Sequence, residues 1–154
     1  MRAFSLIETL MYLGLFALLM EGAFVGIFAI SESADRNQTE AYLEEEGDFV
    51  ADKISYEISQ SSTVSLPNGT NARIDLIEFG MPVSIEESDD IFSIARNNSA
   101  AIPFSSNLVQ VSDVQFIATT SPSSAVTTSF TLQAKTEDGR TLSEDFSTIT
   151  YAAL

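Results

Sequence analysis

The chain opens with its longest run of apolar residues. From Phe4 to Ile30, 27 residues include only two charged side chains, Glu8 and Glu21, and no Pro, Lys or Arg. As an α-helix this run measures about 40 Å, which is enough to cross a hydrocarbon core of about 30 Å. The pattern therefore predicts a membrane-spanning helix.

Helical periodicity continues beyond the apolar run. Leu43, Val50, Ile54 and Ile58 follow one another at intervals of 7, 4 and 4 residues, with acidic residues and Ser on the opposite face. We therefore expect residues 31–60 to form an amphipathic second half of the same helix. A helix of residues 4–60 is about 85 Å long, so its first half has to lie in a bilayer or against other copies. Gly47 lowers the intrinsic helix stability by ~1 kcal/mol and is a candidate bend.

After Pro67 the pattern changes to short alternating runs typical of strands. In residues 108–118 the alternation slips near Asp113, which indicates a bulge. The sequence Glu137-Asp138-Gly139-Arg140 predicts a hairpin turn, and the Ser- and Thr-rich residues 119–128 predict a loop. We therefore expect an α+β fold, with a long N-terminal helix packed on one antiparallel β-sheet head of residues 61–154. The predicted strands are Ala72–Phe79, Val83–Ile85, Ile91–Ala95, Leu108–Ala118, Ser129–Lys135 and Thr141–Tyr151.

Composition excludes several classes of function. The 154 residues contain no His, Cys or Trp, so a Ser–His–Asp triad, a Cys nucleophile, a disulfide and an ordinary zinc site are all impossible. Seven basic residues against twenty-two acidic ones give a net charge of −15. Direct binding to nucleic acid is disfavoured, because phosphate contacts need clustered Lys and Arg. We expect no enzyme activity, no catalytic residues, no cofactor and no metal.

The charges that flank the apolar run predict its orientation. Arg2 is the basic residue before the run, whereas residues 31–154 carry −14. The positive-inside rule then places the N-terminus in the cytoplasm and the acidic head outside it.

The residues Ala3-Phe4-Ser5-Leu6-Ile7-Glu8-Thr9-Leu10 resemble the processing site of type IV pilins and pseudopilins. In that family a prepilin peptidase removes a short basic leader, methylates the new amine and leaves an apolar helix with a near-invariant Glu at its fifth residue. The resemblance implies a leader of residues 1–3 and cleavage between Ala3 and Phe4. This leader is short, and Ala3 stands where the family usually has Gly. The resemblance covers residues 2–30.

Membership of that family would make the chain a structural filament subunit. Phe4 would supply the amine and Glu8 the assembly contact, because the Glu of one subunit neutralises the amine of its neighbour. The implied partners are other pilin subunits, the prepilin peptidase, an inner-membrane assembly platform and, before assembly, membrane lipid. Glu21 and the absence of Pro from the core helix favour a minor pilin or pseudopilin. Adhesion, motility, secretion and DNA uptake all use this subunit plan.

Two other readings of the N-terminus stay open. A secretory signal peptide would be cleaved near Glu21-Gly22-Ala23, although the chain stays apolar to Ile30. A single-pass anchor could carry an extracytoplasmic binding module that never assembles, and such an anchor gains nothing from a carboxylate at Glu8.

Two weaker motifs lie beyond the apolar run. The cluster Glu86, Glu87, Asp89 and Asp90 offers oxygen ligands suited to calcium, but its spacing matches no EF-hand, so a solvated acidic loop is favoured. Three Asn-x-Ser/Thr triplets, at Asn37, Asn68 and Asn97, fit chance occurrence in a chain rich in these residues.

Overall fold

The computed structural model describes residues 6–67, 72–119 and 125–153. Its first element is a single continuous helix, α1, from Leu6 to Gln60. The prediction of one long N-terminal helix is confirmed over these residues. The chain divides into two compact units, Met1–Gln38 and Thr39–Leu154, and α1 contributes to both. The second unit is called the head unit below.

Within the described residues, eight strands follow the helix and form two antiparallel sheets. Sheet A has the order β1-β2-β3-β4-β5 and sheet B has the order β6-β7-β8. Antiparallel pairing was predicted, but the expectation of one sheet was wrong. β5 has only two residues and ends at Pro103, so the chain leaves sheet A there and begins a second sheet at Gln110. The strands are β1 Ser61–Ser65, β2 Arg73–Glu78, β3 Met81–Ser88, β4 Ile91–Arg96, β5 Ile102–Pro103, β6 Gln110–Thr119, β7 Ala125–Lys135 and β8 Thr141–Tyr151.

The inner faces of the two sheets and the predicted stripe of α1 share one core within the head unit. Leu43, Val50, Ile54 and Ile58 are buried, which confirms the helical stripe. β7 alternates strictly and buries Phe130, whose ring packs edge-on against Phe92 at 5.3 Å between centroids. The other buried apolar side chains are Ile74, Leu76, Val83, Ile85, Ile94, Val109, Val111, Val114, Phe116, Val126, Leu132 and Ala134.

Gly47 marks a close approach between the helix and sheet B. A Cβ atom at this position would lie 2.0 Å from the Cζ atom of Phe146 on β8, well inside van der Waals contact. Gly47 is buried and helical, so the absence of its side chain makes room for the Phe146 ring. This contact gives the glycine a packing role that the sequence did not suggest.

Two hairpins of sheet A, β2–β3 and β3–β4, and the turn after β4 contain residues in the left-handed conformation. Phe79-Gly80, Asp89-Asp90 and Asn97-Asn98 each have two consecutive positive φ angles, the combination of type I′ turns. Asn and Asp tolerate this conformation, whereas Phe79 at φ 48° is a bulky residue in a region that such residues rarely adopt.

Sheet B follows its predicted pattern closely. β8 spans Thr141–Tyr151 as predicted, and the turn before it has Gly139 at φ 84°. Asp113 at φ 52° sits in a register shift between Ser112 and Gln115, so the predicted bulge is confirmed. The predicted loop of residues 119–128 is too long, because β7 already begins at Ala125.

Candidate assembly segment and the charges of the head

The residues expected to be cleaved, Ala3 and Phe4, lie outside the described residues. Glu8 is described, and it lies exposed in the first turn of α1. The structure therefore places the predicted assembly carboxylate on the surface of the helix, close to where α1 begins.

The first half of α1 exposes its apolar side chains. The exposed fraction of its large apolar residues runs from 43% at Met20 to 82% at Leu6. This stretch is long and apolar enough to cross a membrane, and none of the residues in its most apolar part is buried. An apolar surface of this kind is stabilised when lipid or other helices cover it.

The two carboxylates of this stretch lie on different faces. Gly22 and Gly26 lie within about 40° of Glu8 around the helix axis, whereas Glu21 is about 140° away. Gly22 and Gly26 form a Gly-x-x-x-Gly pair with no atom within 4 Å of a Cβ built at either residue. Small residues at this spacing let two membrane helices approach closely. Glu8 therefore shares a face suited to helix packing, and Glu21 does not.

A buried carboxylate joins α1 to sheet A inside the head unit. The side chain of Glu57 has no exposed surface and accepts hydrogen bonds from Nη2 of Arg96, at 2.5 and 2.7 Å. Nη1 of Arg96 also donates to Glu78 on β2 at 2.8 Å, and Nζ of Lys53 lies 3.0 Å from Glu57. Two carboxylates and two cations therefore neutralise one another at the junction. Sequence reasoning missed this network, although Glu57 breaks the apolar stripe beside Ile58.

Polar contacts also fix the other end of the helix in the head unit. Glu46 accepts a hydrogen bond from the backbone N–H of Ser106 at 2.6 Å, and the Tyr42 hydroxyl donates to the Ser106 side chain at 2.7 Å. On the other side, Thr150 of β8 donates to Ser55 at 2.8 Å. These contacts fix the orientation in which the apolar stripe of α1 packs against the sheets.

The acidic cluster considered for calcium is dispersed by the β3–β4 hairpin. Glu86 pairs with Arg73 at 3.2 Å, Glu87 accepts from the backbone N–H of Asp90 at 3.2 Å, and Asp90 also accepts from Gln110. Glu86 and Glu87 belong to β3, so the predicted acidic loop is reduced to the turn at Asp89 and Asp90. No group of three or more acidic side chains suited to a metal comes together within the described part of the chain.

Two surface groups have shifted pKa values. The Thr136 hydroxyl, which donates to Asp138, holds the pKa of that carboxyl below its usual value of 3.8. The hydrogen bond from Arg73 to Asp75 raises the pKa of the Arg73 guanidinium. Arg73 borders a groove of about 260 Å³ on sheet A, but its charge is already matched by Asp75 and Glu86. The groove therefore presents no unmatched cation for an anionic ligand.

The chain is thus an α+β protein with one N-terminal helix long enough to span a membrane, followed by antiparallel sheets. Comparison with protein-family models, with curated proteins and with solved structures finds no match.

Proposed function

We propose that the chain is a structural subunit of a type IV pilus or a related pilus-like filament, and more specifically a minor pilin or pseudopilin. In this proposal a single-pass precursor lies in the inner membrane with its N-terminus in the cytoplasm. A prepilin peptidase cleaves it between Ala3 and Phe4, and an assembly platform transfers it into the filament.

One observation carries the proposal: a carboxylate lies near the start of an apolar helix whose large side chains are exposed. Glu8 shares its helix face with Gly22 and Gly26, and the large apolar residues around them are uncovered. A carboxylate at membrane depth costs a few kcal/mol unless it is paired. The cleavage motif supplies the pairing cation, because cleavage would create an α-amino group at Phe4, four residues away.

The pairing gives the assembled helices a fixed axial position. An ion pair between Glu8 of one subunit and the Phe4 amine of its neighbour offsets the cost of holding both charges in an apolar surrounding. A displaced helix loses this ion pair, so the axial position that forms it is favoured over shifted positions. The apolar segment of residues 4–30 supplies the contact area, and no chemical reaction is required of the subunit.

Mass spectrometry of the N-terminal peptide tests the processing step. The protein is taken from its native host, separately from membranes and from sheared surface material or, for a periplasmic filament, a purified filament fraction. A methylated N-terminal Phe4 in the filament fraction is the expected result. A chain that begins near Phe24 would identify a signal peptide. An uncleaved chain confined to membranes, with no form in filaments, would identify the anchored binding module instead.

Two matched substitutions test the assembly step. Glu8→Leu and Glu21→Leu remove the same group from the same helix, but from faces about 140° apart. We expect Glu8→Leu to reduce incorporation into filaments strongly, with normal membrane insertion, and Glu21→Leu to reduce it less. Equal incorporation of the two variants at the unsubstituted level would contradict the proposal.

A further inference from the structure

The four edges of the two sheets differ in how well they are protected from pairing with another chain. β1 has five residues and a register shift, β5 has two residues and ends in Pro103, and β6 is interrupted by the bulge at Asp113. Short strands, prolines and bulges are the usual devices that blunt an edge. β8 has none of them: its eleven residues pair with β7 without interruption, from Thr141 to Tyr151. Among the described residues, no strand pairs with its other side.

The second half of β8, residues 146–151, is here called the edge segment. Its sequence is Phe-Ser-Thr-Ile-Thr-Tyr, with no charge, no Pro and no Gly. Six residues of this kind, with high β propensity, are typical of strands that associate between chains. Ile149 and Tyr151 are also 63% and 62% exposed on the outer face of sheet B, beside the half-exposed Ile117. Both the backbone edge and its side chains are therefore suited to association.

We propose that the edge segment of one copy pairs antiparallel with the edge segment of a second copy, which joins their three-stranded sheets into one of six strands. The contact is isologous and closes on itself, so it links two heads and does not by itself extend a filament. The inference depends on the head unit alone, so it can fail or succeed independently of the filament proposal.

The pattern of side chains along β8 favours a second copy over a basic strand as the occupant. With the two-fold axis at Thr148, Ser147 lies opposite Ile149 of the second copy, whereas Glu144 and Asp145 lie opposite Ala152 and Tyr151. No acidic residue then faces another acidic residue, and hydroxyl and β-branched side chains meet across the strands. A basic strand would find no acid along the edge segment to pair with.

The net charge of the head predicts how the pairing depends on salt. Residues 39–154 contain eighteen acidic and five basic residues, for a net charge of −13. Two such heads repel each other, and salt screens that repulsion. The pairing should therefore strengthen as ionic strength rises, whereas association with a basic partner would weaken.

Cysteine cross-linking of the full, detergent-solubilised chain tests the proposed register, because detergent leaves the two copies free to adopt opposite directions. The chain has no cysteine of its own, so each variant carries one thiol. S147C, with a larger tag, is mixed with I149C and mildly oxidised. A matched mixture replaces S147C with Q115C, since Gln115 and Ser147 lie at opposite ends of one row across sheet B, both bridged by Ser129. The Cα separation of residues opposite each other in a ladder fits a disulfide.

The S147C and I149C mixture should give several-fold more mixed dimer than the Q115C and I149C mixture, and more at high salt than at low salt. Equal yields would overturn the proposal. Absence of the mixed dimer, in variants whose circular dichroism matches that of the unsubstituted chain, would also overturn it.

A charge substitution gives a second, independent measurement. S147K and Q115K change the net charge equally, but only S147K places a cation at the proposed contact. S147K should lower the dimer fraction of the detergent-solubilised chain several-fold relative to Q115K. A dimer that both variants retain would be held by the apolar helix, and the edge pairing would be wrong.

Discussion

At the residue scale, Gly47 shows how one missing methyl group sets the distance between helix and sheet. Gly47→Ala would add a Cβ 2.0 Å from the Phe146 ring. Overpacking of this kind costs about 1–3 kcal/mol, against about 1 kcal/mol gained in helix propensity. We expect a net loss of up to about 2 kcal/mol in the unfolding free energy, measured by denaturant titration followed by circular dichroism.

A second background separates the two effects of this substitution. In a Phe146→Ala chain the steric conflict is gone, so Gly47→Ala should now raise stability. Gly22→Ala, with nothing within 4 Å, is a control that should leave head stability unchanged. A destabilising effect of Gly47→Ala in the Phe146→Ala background would contradict the packing role.

Arg96 and Arg73 each bridge two carboxylates, but in different surroundings. Arg96→Met would leave Glu57 and Glu78, which are almost fully buried, without their main cation. Breaking a buried pair costs about 3–5 kcal/mol, and the half-exposed Arg96 places the expected loss near the lower end. Arg73→Met removes a cation from the more exposed Asp75 and Glu86 and should cost less than about 1 kcal/mol. The unfolding free energies are measured by urea titration. A similar loss for both variants would show that the buried network stabilises the protein no more than the exposed ion pairs do.

At the element scale, the β2–β3 hairpin contains a residue that its turn disfavours. Phe79 is 80% exposed and has φ 48°, where L-residues other than Asn, Asp and Gly lose roughly 1–2 kcal/mol. Phe79→Asn keeps the turn and relieves that strain, so we expect a gain of about 1 kcal/mol in the unfolding free energy. Gly80→Ala, at φ 80°, should change the thermal midpoint in the opposite direction. A stability loss for Phe79→Asn would mean that the ring packs in a way its exposure does not indicate.

The elements that sequence reasoning predicts well are those with a long, uniform period. The helix stripe from Leu43 to Ile58 and the alternation of β8 extend over many residues. A few residues that deviate from the pattern therefore do not obscure it. β1 was missed because Ser61–Ser65 contains one apolar residue, Val64, and its pairing with β2 is a tertiary effect. The Glu57 network was missed for the same reason, because Arg96 lies 39 residues away in the sequence. The same distinction applies to the functional residues. Glu8 can be predicted from a local sequence motif, whereas the contact of Gly47 with Phe146 can be seen only in the tertiary structure.

At the scale of the whole molecule, apolar surface and charge are separated along the chain. The exposed large apolar residues are concentrated between Leu6 and Ile30, whereas the head unit, residues 39–154, carries a net charge of −13. The acidic head gives no attraction to anionic lipid, so electrostatics would not hold it at a membrane surface. Membrane association therefore has to come from the apolar segment alone.

This separation predicts how the full chain fractionates. The unsubstituted chain should remain in membranes through extraction with alkaline carbonate, because its apolar segment is long enough to span the hydrocarbon core. Phe16→Arg together with Leu18→Arg places two cations near the middle of the segment, each costing about 2.5–3.5 kcal/mol on insertion scales. We expect this double variant to leave the membrane fraction. Thr141→Arg with Ser143→Arg adds the same charge to the exposed face of β8 and should leave the chain in the membrane. If the variant with arginines in the helix stays as well, then the head binds the membrane by itself, and the apolar segment would be free to pack against protein alone.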